Sequence, residues 1–220
     1  WAWRLGSSHV HQGYQNVLAA WIMANDPSFT GQASGCTADW AASLDRQIEF
    51  YQWLQAPNGL FAGGATNSWL GRYAPYPAGA STFNGMCFDE SPVYEDPSSA
   101  EWFGMQAWGP SRICEYYYVT GDARAEAMLD KWADFMINNI TLEAEGTFRV
   151  PVTLVWSGQP DTWTGTPGAN SGLSGTVYSD ENWDGKKNDI DMASCIAKSL
   201  SYYVAGKEKW GGANDAAKNL

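Results

Sequence analysis

The 220-residue sequence predicts a mainly α fold of helix hairpins joined by long functional loops, with a minor β component. Three observations carry that expectation. Five segments repeat apolar residues at helical spacing. They follow one another without strands alternating between them, which disfavours an α/β layer. Only one stretch, Phe148, Val150, Val152, Leu154 and Trp156, shows the period-two alternation of a half-buried strand.

The first helix is expected over residues 10–24, where Val10, Tyr14, Val17, Leu18, Trp21 and Ile22 share a stripe. The second covers residues 38–55, with Trp40, Leu44, Ile48 and Tyr51 in line and Pro57-Asn58-Gly59 as its stop. The third starts at Ser98, which forms an S-x-x-E capping box with Glu101. It carries Trp102, Met105 and Trp108, is interrupted at Gly109-Pro110, and resumes to Tyr118. Met128, Leu129, Trp132, Phe135 and Met136 face inward from a fourth helix over residues 123–139, and a fifth runs over residues 190–205. Residues 57–97 and 157–189 are rich in Gly, Asn, Thr, Trp and Tyr. They are far longer than the usual helix connections of about 2–8 residues, and long ordered loops tend to carry function.

Charge and motifs narrow the function. Thirteen Lys and Arg against 24 Asp and Glu leave a net charge of −11, which argues against a nucleic-acid partner and against an anionic membrane surface. No stretch approaches the roughly 18 apolar residues of a membrane span. There is no G-x-S-x-G, P-loop or dinucleotide fingerprint, so no organic cofactor is expected. His9 and His11 could share a metal only in an extended segment, and ordinary polar contacts are the expectation for them. Cys36, Cys87, Cys114 and Cys195 lack C-x-x-C pairs, which leaves buried thiols and disulfides both open. The sequon Asn139-Ile140-Thr141 is compatible with secretion.

Aromatic content is the stronger lead, with 13 Trp, 11 Tyr and 8 Phe. Trp40, Trp53 and Trp132 sit on helix stripes and read as core. Trp1, Trp3, Trp69, Tyr73, Tyr76, Tyr94, Trp156, Trp163 and Trp183 fall in loops or at their mouths. A pyranose offers an apolar C–H face to an indole or phenol ring and a rim of hydroxyls to Asn, Gln, Asp or Thr. Thr66-Asn67-Ser68-Trp69 and Gln159-Pro160-Asp161-Thr162-Trp163 supply both kinds of group, so the expected ligand is a neutral polysaccharide. Glycoside hydrolysis also needs two carboxyl groups. The loops hold Asp89, Glu90, Glu95, Asp96, Asp161 and Asp191, but no spacing pairs any two across a glycosidic oxygen, and each reads as a surface or structural acid.

One metal motif stands out. The run Asp180 to Asp191 fits D-x-N-x-D-G-x-x-N-x-x-D, a twelve-residue calcium loop with Asp180, Asn182 and Asp184 as its first ligands and Gly185 at the turn. It leads into a helix, as such loops do.

Several longer strings resemble glycoside hydrolase family 48. They include Trp1-Ala-Trp3-Arg4, Ser8-His9-Val-His11-Gln-Gly13-Tyr14-Gln15-Asn16, Glu49-Phe50-Tyr51-Gln52-Trp53-Leu54-Gln55 and Gly63-Gly64-Ala65-Thr66-Asn67-Ser68-Trp69. Tyr76-Pro77-Ala78-Gly79, Pro92-Val93-Tyr94, Trp102-Phe103-Gly104-Met105-Gln106-Ala107-Trp108 and Trp156 through Gly165 continue the match over nearly the whole chain. The resemblance implies that residues 1–220 form the middle portion of a single catalytic domain, a partial (α/α)6 barrel incomplete at both ends. It implies an inverting glycosidase, secreted, that cleaves the β-1,4-glucosidic bonds of cellulose and releases mainly cellobiose processively from the reducing end. A chitin-degrading member and a glycan-binding protein without catalysis are the alternatives.

Residue by residue, the resemblance makes Trp1, Trp3, Trp102, Trp108 and Trp163 stacking residues, with Tyr94 beside them and Asp191 near the product side. Tyr14 resembles the tyrosine that helps place the hydrolytic water, and Asp96 a carboxylate of a structural calcium site. The general acid, a Glu, and the base, an Asp, are expected upstream of Trp1, so this stretch alone is expected to be inactive. Gly109-Pro110-Ser111 departs from the family's continuous helix, where the proline is expected to bend it. The region from Pro167 to Asp189 also departs from the pattern.

Overall fold

The computed structural model describes residues 8–92, 101–143, 146–179 and 189–220. Their order is β1 (His9–His11), α1 (Val17–Asn25), α2 (Cys36–Leu54), β2 (Gly64–Thr66), β3 (Thr82–Phe83), β4 (Met86–Asp89), α3 (Met105–Thr120) and α4 (Ala123–Asn139). Then come β5 (Thr141–Leu142), β6 (Phe148–Arg149), β7 (Thr153–Ser157), β8 (Ser174–Tyr178), α5 (Ile190–Trp210) and α6 (Asp215–Asn219). The mainly α expectation holds. No helix among the described residues is long and apolar enough to cross a membrane.

Helix α4 has the expected limits because Asp122 caps it, its side chain accepting from the Arg124 N–H at 2.8 Å. It turns back on α3 through Gly121, which takes φ 69°. A Cβ there would come within 2.7 Å of the Trp210 ring, so glycine serves both the turn and the approach of α5. Helix α5 packs on α3 in parallel: Lys198 pairs with Glu115, the rings of Tyr118 and Tyr202 lie 5.7 Å apart, and the Trp210 indole N–H reaches the Tyr118 carbonyl. It runs five residues past the expected end at 205 before Gly211 closes it in left-handed backbone, φ 91°. Trp53 and Trp132 are buried in the core with Tyr51, Phe61, Phe83, Phe103 and Tyr203, as their helix stripes require.

Three expectations are corrected. The helix over residues 10–24 is instead a strand, a 3-10 turn (Gln12–Tyr14) and the shorter α1. The break is Asn16, whose side-chain oxygen accepts the Ala19 N–H at 3.0 Å and starts the helix there. Upstream, His9, Val10 and His11 pair with Thr66, Ala65 and Gly64. The third helix starts at Met105, not before Glu101 and Trp102, which pair with β7, and it passes through Pro110 without interruption. Proline cannot donate to the carbonyl of residue 106, and the Trp132 indole N–H donates to that carbonyl instead, at 2.9 Å. A tertiary contact thus replaces the bond the helix lacks. The strand over residues 148–156 is divided at Pro151 into β6, paired with β5, and β7, paired with β8. The inward alternation survives the division, with Val150, Val152, Leu154 and Trp156 buried.

The stretch 57–97 is more ordered than a loop. Its three strands join β1 in an antiparallel sheet of order β1-β2-β4-β3, with His11, Gly64 and Asp89 in register. Gly64 is dictated by this packing, since a Cβ would lie 1.8 Å from the Val10 carbonyl oxygen. Irregular backbone around the sheet is satisfied by buried carboxamides. Gln106 accepts the Phe61 N–H at 2.8 Å and donates to its carbonyl at 2.7 Å. Asn170, in left-handed backbone at φ 49°, donates to the carbonyls of Trp53 and Gln55 and accepts the Asp161 N–H. All four cysteines are free thiols, Cys87 and Cys114 buried.

Two predictions follow from this framework. Gln106→Ala leaves the Phe61 N–H and C=O unpaired in the core, at about 1–3 kcal/mol for each group. The full-length protein should therefore melt several degrees lower, while the half-buried Gln52→Ala control on α2 should move less; equal melting of the two would contradict the role given to Gln106. The second concerns acid. Burial alone would raise the Glu115 carboxyl, but Lys198 and Arg112 more than offset it and hold it below its usual range. Burial would likewise raise Asp122, but its hydrogen bonds with Arg124 and Tyr116 outweigh that and lower it, while Lys207 chiefly lowers Glu126. Folded values below unfolded ones mean stability that is complete above the unfolded carboxylate range near pH 4 and lost as pH falls through the folded values. Thermal melting against pH should fall below about pH 4, and this slope should flatten in Lys198→Met.

Candidate functional site

The N-terminal end of α3 brings together two of the expected aromatic residues, Trp102 and Trp108. Segment 101–103 is zipped onto the edge of β7: Leu154 N–H donates to the Glu101 carbonyl at 2.9 Å and Phe103 N–H to the Val152 carbonyl at 3.1 Å. Trp102 forms a bridge with Thr153 at this edge. Helix α3 then starts at Met105 and presents Trp108 one turn later, 44% exposed. The rings of Trp102 and Trp108 meet edge to face, 4.9 Å between centroids at 83°. That geometry suits the ring quadrupoles and fixes one indole against the other. Gly104 permits it, because a Cβ there would come within 2.1 Å of the Trp102 ring.

Tyr14 is brought to the same end. The 3-10 turn Gln12–Tyr14 docks on the first turns of α3, where the buried Gln12 donates from Nε2 to the Met105 carbonyl at 2.9 Å. The Tyr51 hydroxyl donates to the Gln12 carbonyl at 2.6 Å. Two glycines make room: a Cβ on Gly13 would lie 2.4 Å from the Met105 sulfur, and one on Gly109 2.3 Å from the Gln12 Oε1. The Tyr14 ring is 5.6 Å from the His11 ring, and the residue is 51% exposed. His11 Nδ1 accepts the Gly13 N–H at 3.0 Å and His9 Nδ1 meets Thr66 Oγ1 at 2.9 Å, the ordinary polar contacts expected of both.

Of the remaining described candidates, Trp163 lies apart from this end and Asp191 at it. Trp163 is half-buried, its N–H bonded to the Thr82 carbonyl and its ring 5.5 Å from that of Phe83. It therefore stands by β3, at the opposite edge of the sheet from β1 and Tyr14. Asp191 is exposed in the first turn of α5, and the parallel packing of α3 and α5 sets that turn at the same end as Trp108. The acid that acts structurally there is its neighbour Asp189, which caps α5 by accepting the Met192 N–H at 3.0 Å. Sequence reasoning missed it, though an Asp just before an apolar-periodic run is a cap signal. Asp161 also proves structural, its carboxylate accepting the Asn170 N–H at 2.9 Å. Trp1, Trp3, Tyr94, Asp96, Asp180, Asn182 and Asp184 lie outside the described residues. Among the described residues no group of three or more His, Cys, Asp or Glu is placed to hold a metal ion.

Chemically, the described arrangement offers a partly exposed indole and a partly exposed phenol near the start of α3, groups that can stack on sugar rings. Comparison with known proteins points the same way. Exoglucanase-2 of Thermoclostridium stercorarium is 52% identical over 220 residues, all of this chain and 23% of that protein. Endoglucanase F of Ruminiclostridium cellulolyticum is 52% identical over 207 residues, 93% of this chain and 28% of that protein. Cellulose 1,4-beta-cellobiosidase (reducing end) CelS of Acetivibrio thermocellus is 47% identical over 215 residues, 98% of this chain and 28% of that protein. The chain thus spans about a quarter of the length of these relatives. The model of glycosyl hydrolase family 48 matches residues 1–220, and the chain belongs to that family.

Proposed function

We propose that this chain is the middle portion of the catalytic domain of a secreted, inverting cellulase. In this reading the whole protein cleaves β-1,4-glucosidic bonds and releases mainly cellobiose, moving processively from the reducing end. Family membership and the cellulolytic names of the relatives support it. The single observation that carries it is the part-exposed Trp108, braced edge-on by Trp102 at the start of α3. Parallel α3 and α5 with the antiparallel α4 between them in sequence are also the repeating unit from which an (α/α)6 barrel would be built.

The division of labour follows from the chemistry. In an inverting glycosidase an acid protonates the leaving oxygen while a base activates water from the opposite face, the carboxyls standing about 6.5–9.5 Å apart to admit that water. The resemblance assigns that acid and base to sequence preceding Trp1. This chain's own contribution is positional: Trp108 and Trp102 bind and orient the sugar, and the Tyr14 hydroxyl helps to hold the water, as the resemblance implies. Calcium, at Asp96 or in the Asp180–Asp184 segment, would serve structure, and no catalytic step depends on it.

Incubating the full-length protein with amorphous cellulose and with colloidal chitin, and weighing the soluble products by mass spectrometry, tests the reading. Mostly cellobiose from cellulose alone is expected; chitobiose, or binding without product, would contradict it. Trp108→Ala should reduce turnover of cellulose roughly tenfold, the worth of about 1.4 kcal/mol of stacking, with its circular dichroism unchanged. Full activity in that variant would remove the observation on which the reading rests.

A further inference from the structure

The turn that carries Tyr14 hangs on one buried residue. Of Gln12, Gly13 and Tyr14 only Gln12 is buried, and it joins three elements. Its N–H donates to the Gly63 carbonyl beside β2 at 3.0 Å, and its carbonyl accepts the Tyr51 hydroxyl of α2 at 2.6 Å. Its side-chain Nε2 donates to the Met105 carbonyl at the start of α3 at 2.9 Å. The sheet, α2 and α3 therefore meet at a single residue, two positions before Tyr14.

The Tyr51 phenol is committed to this contact. Its ring is fully buried and packs edge to face on Phe61, 5.4 Å between centroids at 79°, so the core aims the hydroxyl. Burial also pushes its ionisation well above the usual tyrosine range, which keeps it a donor. The Gln12 side chain is not what packing alone would select. Its Oε1 is buried without a hydrogen-bond partner among the described residues, a cost on the scale of a lost hydrogen bond. An apolar side chain of similar size would avoid that cost but could not tie the turn to Met105. The orphaned oxygen lies against Gly109, where a Cβ would stand 2.3 Å from it and 3.1 Å from the Tyr51 hydroxyl. Gln12 and Tyr51 thus seat the turn on the part of α3 next to Trp108.

We propose that Gln12 and Tyr51 are positioning residues for hydrolysis that act through Tyr14, holding its turn in fixed relation to the Trp108 platform. The proposal rests on the reading above, in which Tyr14 helps to hold the water and Trp108 the sugar. Neither Gln12 nor Tyr51 need touch the sugar. Attack by water depends on alignment, and a misplacement of about 1 Å can slow a reaction about a hundredfold. Loss of alignment should therefore appear in kcat, while KM, set by the stacking residues, holds.

Turnover of soluble cellopentaose by the full-length protein, measured with melting temperature in a double-mutant cycle, tests this. Tyr51→Phe should lower kcat about tenfold with KM nearly unchanged. In a Tyr14→Phe background the same substitution should cost no further kcat, while still lowering the melting temperature. A merely structural role gives equal kcat losses in both backgrounds; that result, or no loss in either, would overturn the proposal and leave the cellulase reading intact. Gln12→Leu carries the same expectations and replaces Tyr51→Phe should that variant not fold. Tyr14→Phe as active as wild type would overturn the proposal together with the water-holding role of Tyr14. Wild-type protein that releases no cellobiose from cellopentaose or amorphous cellulose would sink the glucan reading itself.

Discussion

Buried carboxamides hold this structure together. Long irregular segments bring backbone N–H and C=O groups into the interior, where each must find a partner or cost free energy on the scale of a lost hydrogen bond. Gln106 satisfies both backbone groups of Phe61, Gln55 reaches the Met128 carbonyl on α4 at 2.8 Å, and Asn170 joins the end of α2 to the segment carrying Trp163. The same helix-borne residue, Gln106, offers its own carbonyl to Trp132, which is what lets α3 continue through Pro110. Backbone order, helix continuity and loop placement therefore share one small set of amide side chains.

Small residues then decide how closely the functional elements approach. Gly13, Gly104 and Gly109 each stand where a Cβ would meet a neighbour within 2.4 Å. They allow the turn with Tyr14 and the indole of Trp102 to press against the first turns of α3. Rigid docking of this kind matters for sugar binding, because stacking and hydroxyl contacts reward a preorganised site and lose affinity to ordering costs in a loose one. The platform is thus built on a helix start and a strand edge, with its aromatic residues fixed by backbone contacts.

Legibility in the sequence followed burial pattern. Helices α2, α4 and α5 each bury one face, so the stripe through Leu44, Ile48 and Tyr51 and that through Met128, Trp132 and Phe135 were readable, as was the core role of Trp53 and Trp132. The sheet was not. Strands β2 and β4 are three and four residues long and buried on both faces, so they show no alternation to distinguish them from loop. Pro110 misled because the bond it lacks is supplied from α4, a contact with no local signal. At the site, Trp102, Trp108 and Tyr14 could be singled out by family strings, while their meeting at one end depends on the Gln12 and Gly104 contacts. The helix-capping role of Asp189, two residues before Asp191, was not read from the sequence.

The claim that most needs testing is that the exposed face of Trp108 is a sugar platform. A crystal structure of the full-length protein soaked with cellotetraose addresses it directly. A glucosyl ring lying parallel to the Trp108 indole at van der Waals distance, about 4 Å, with Trp102 still edge-on behind it, is the result expected. Cellotetraose bound elsewhere, with the Trp108 face covered by another part of the protein, would contradict the assignment and leave Trp108 as a packing residue.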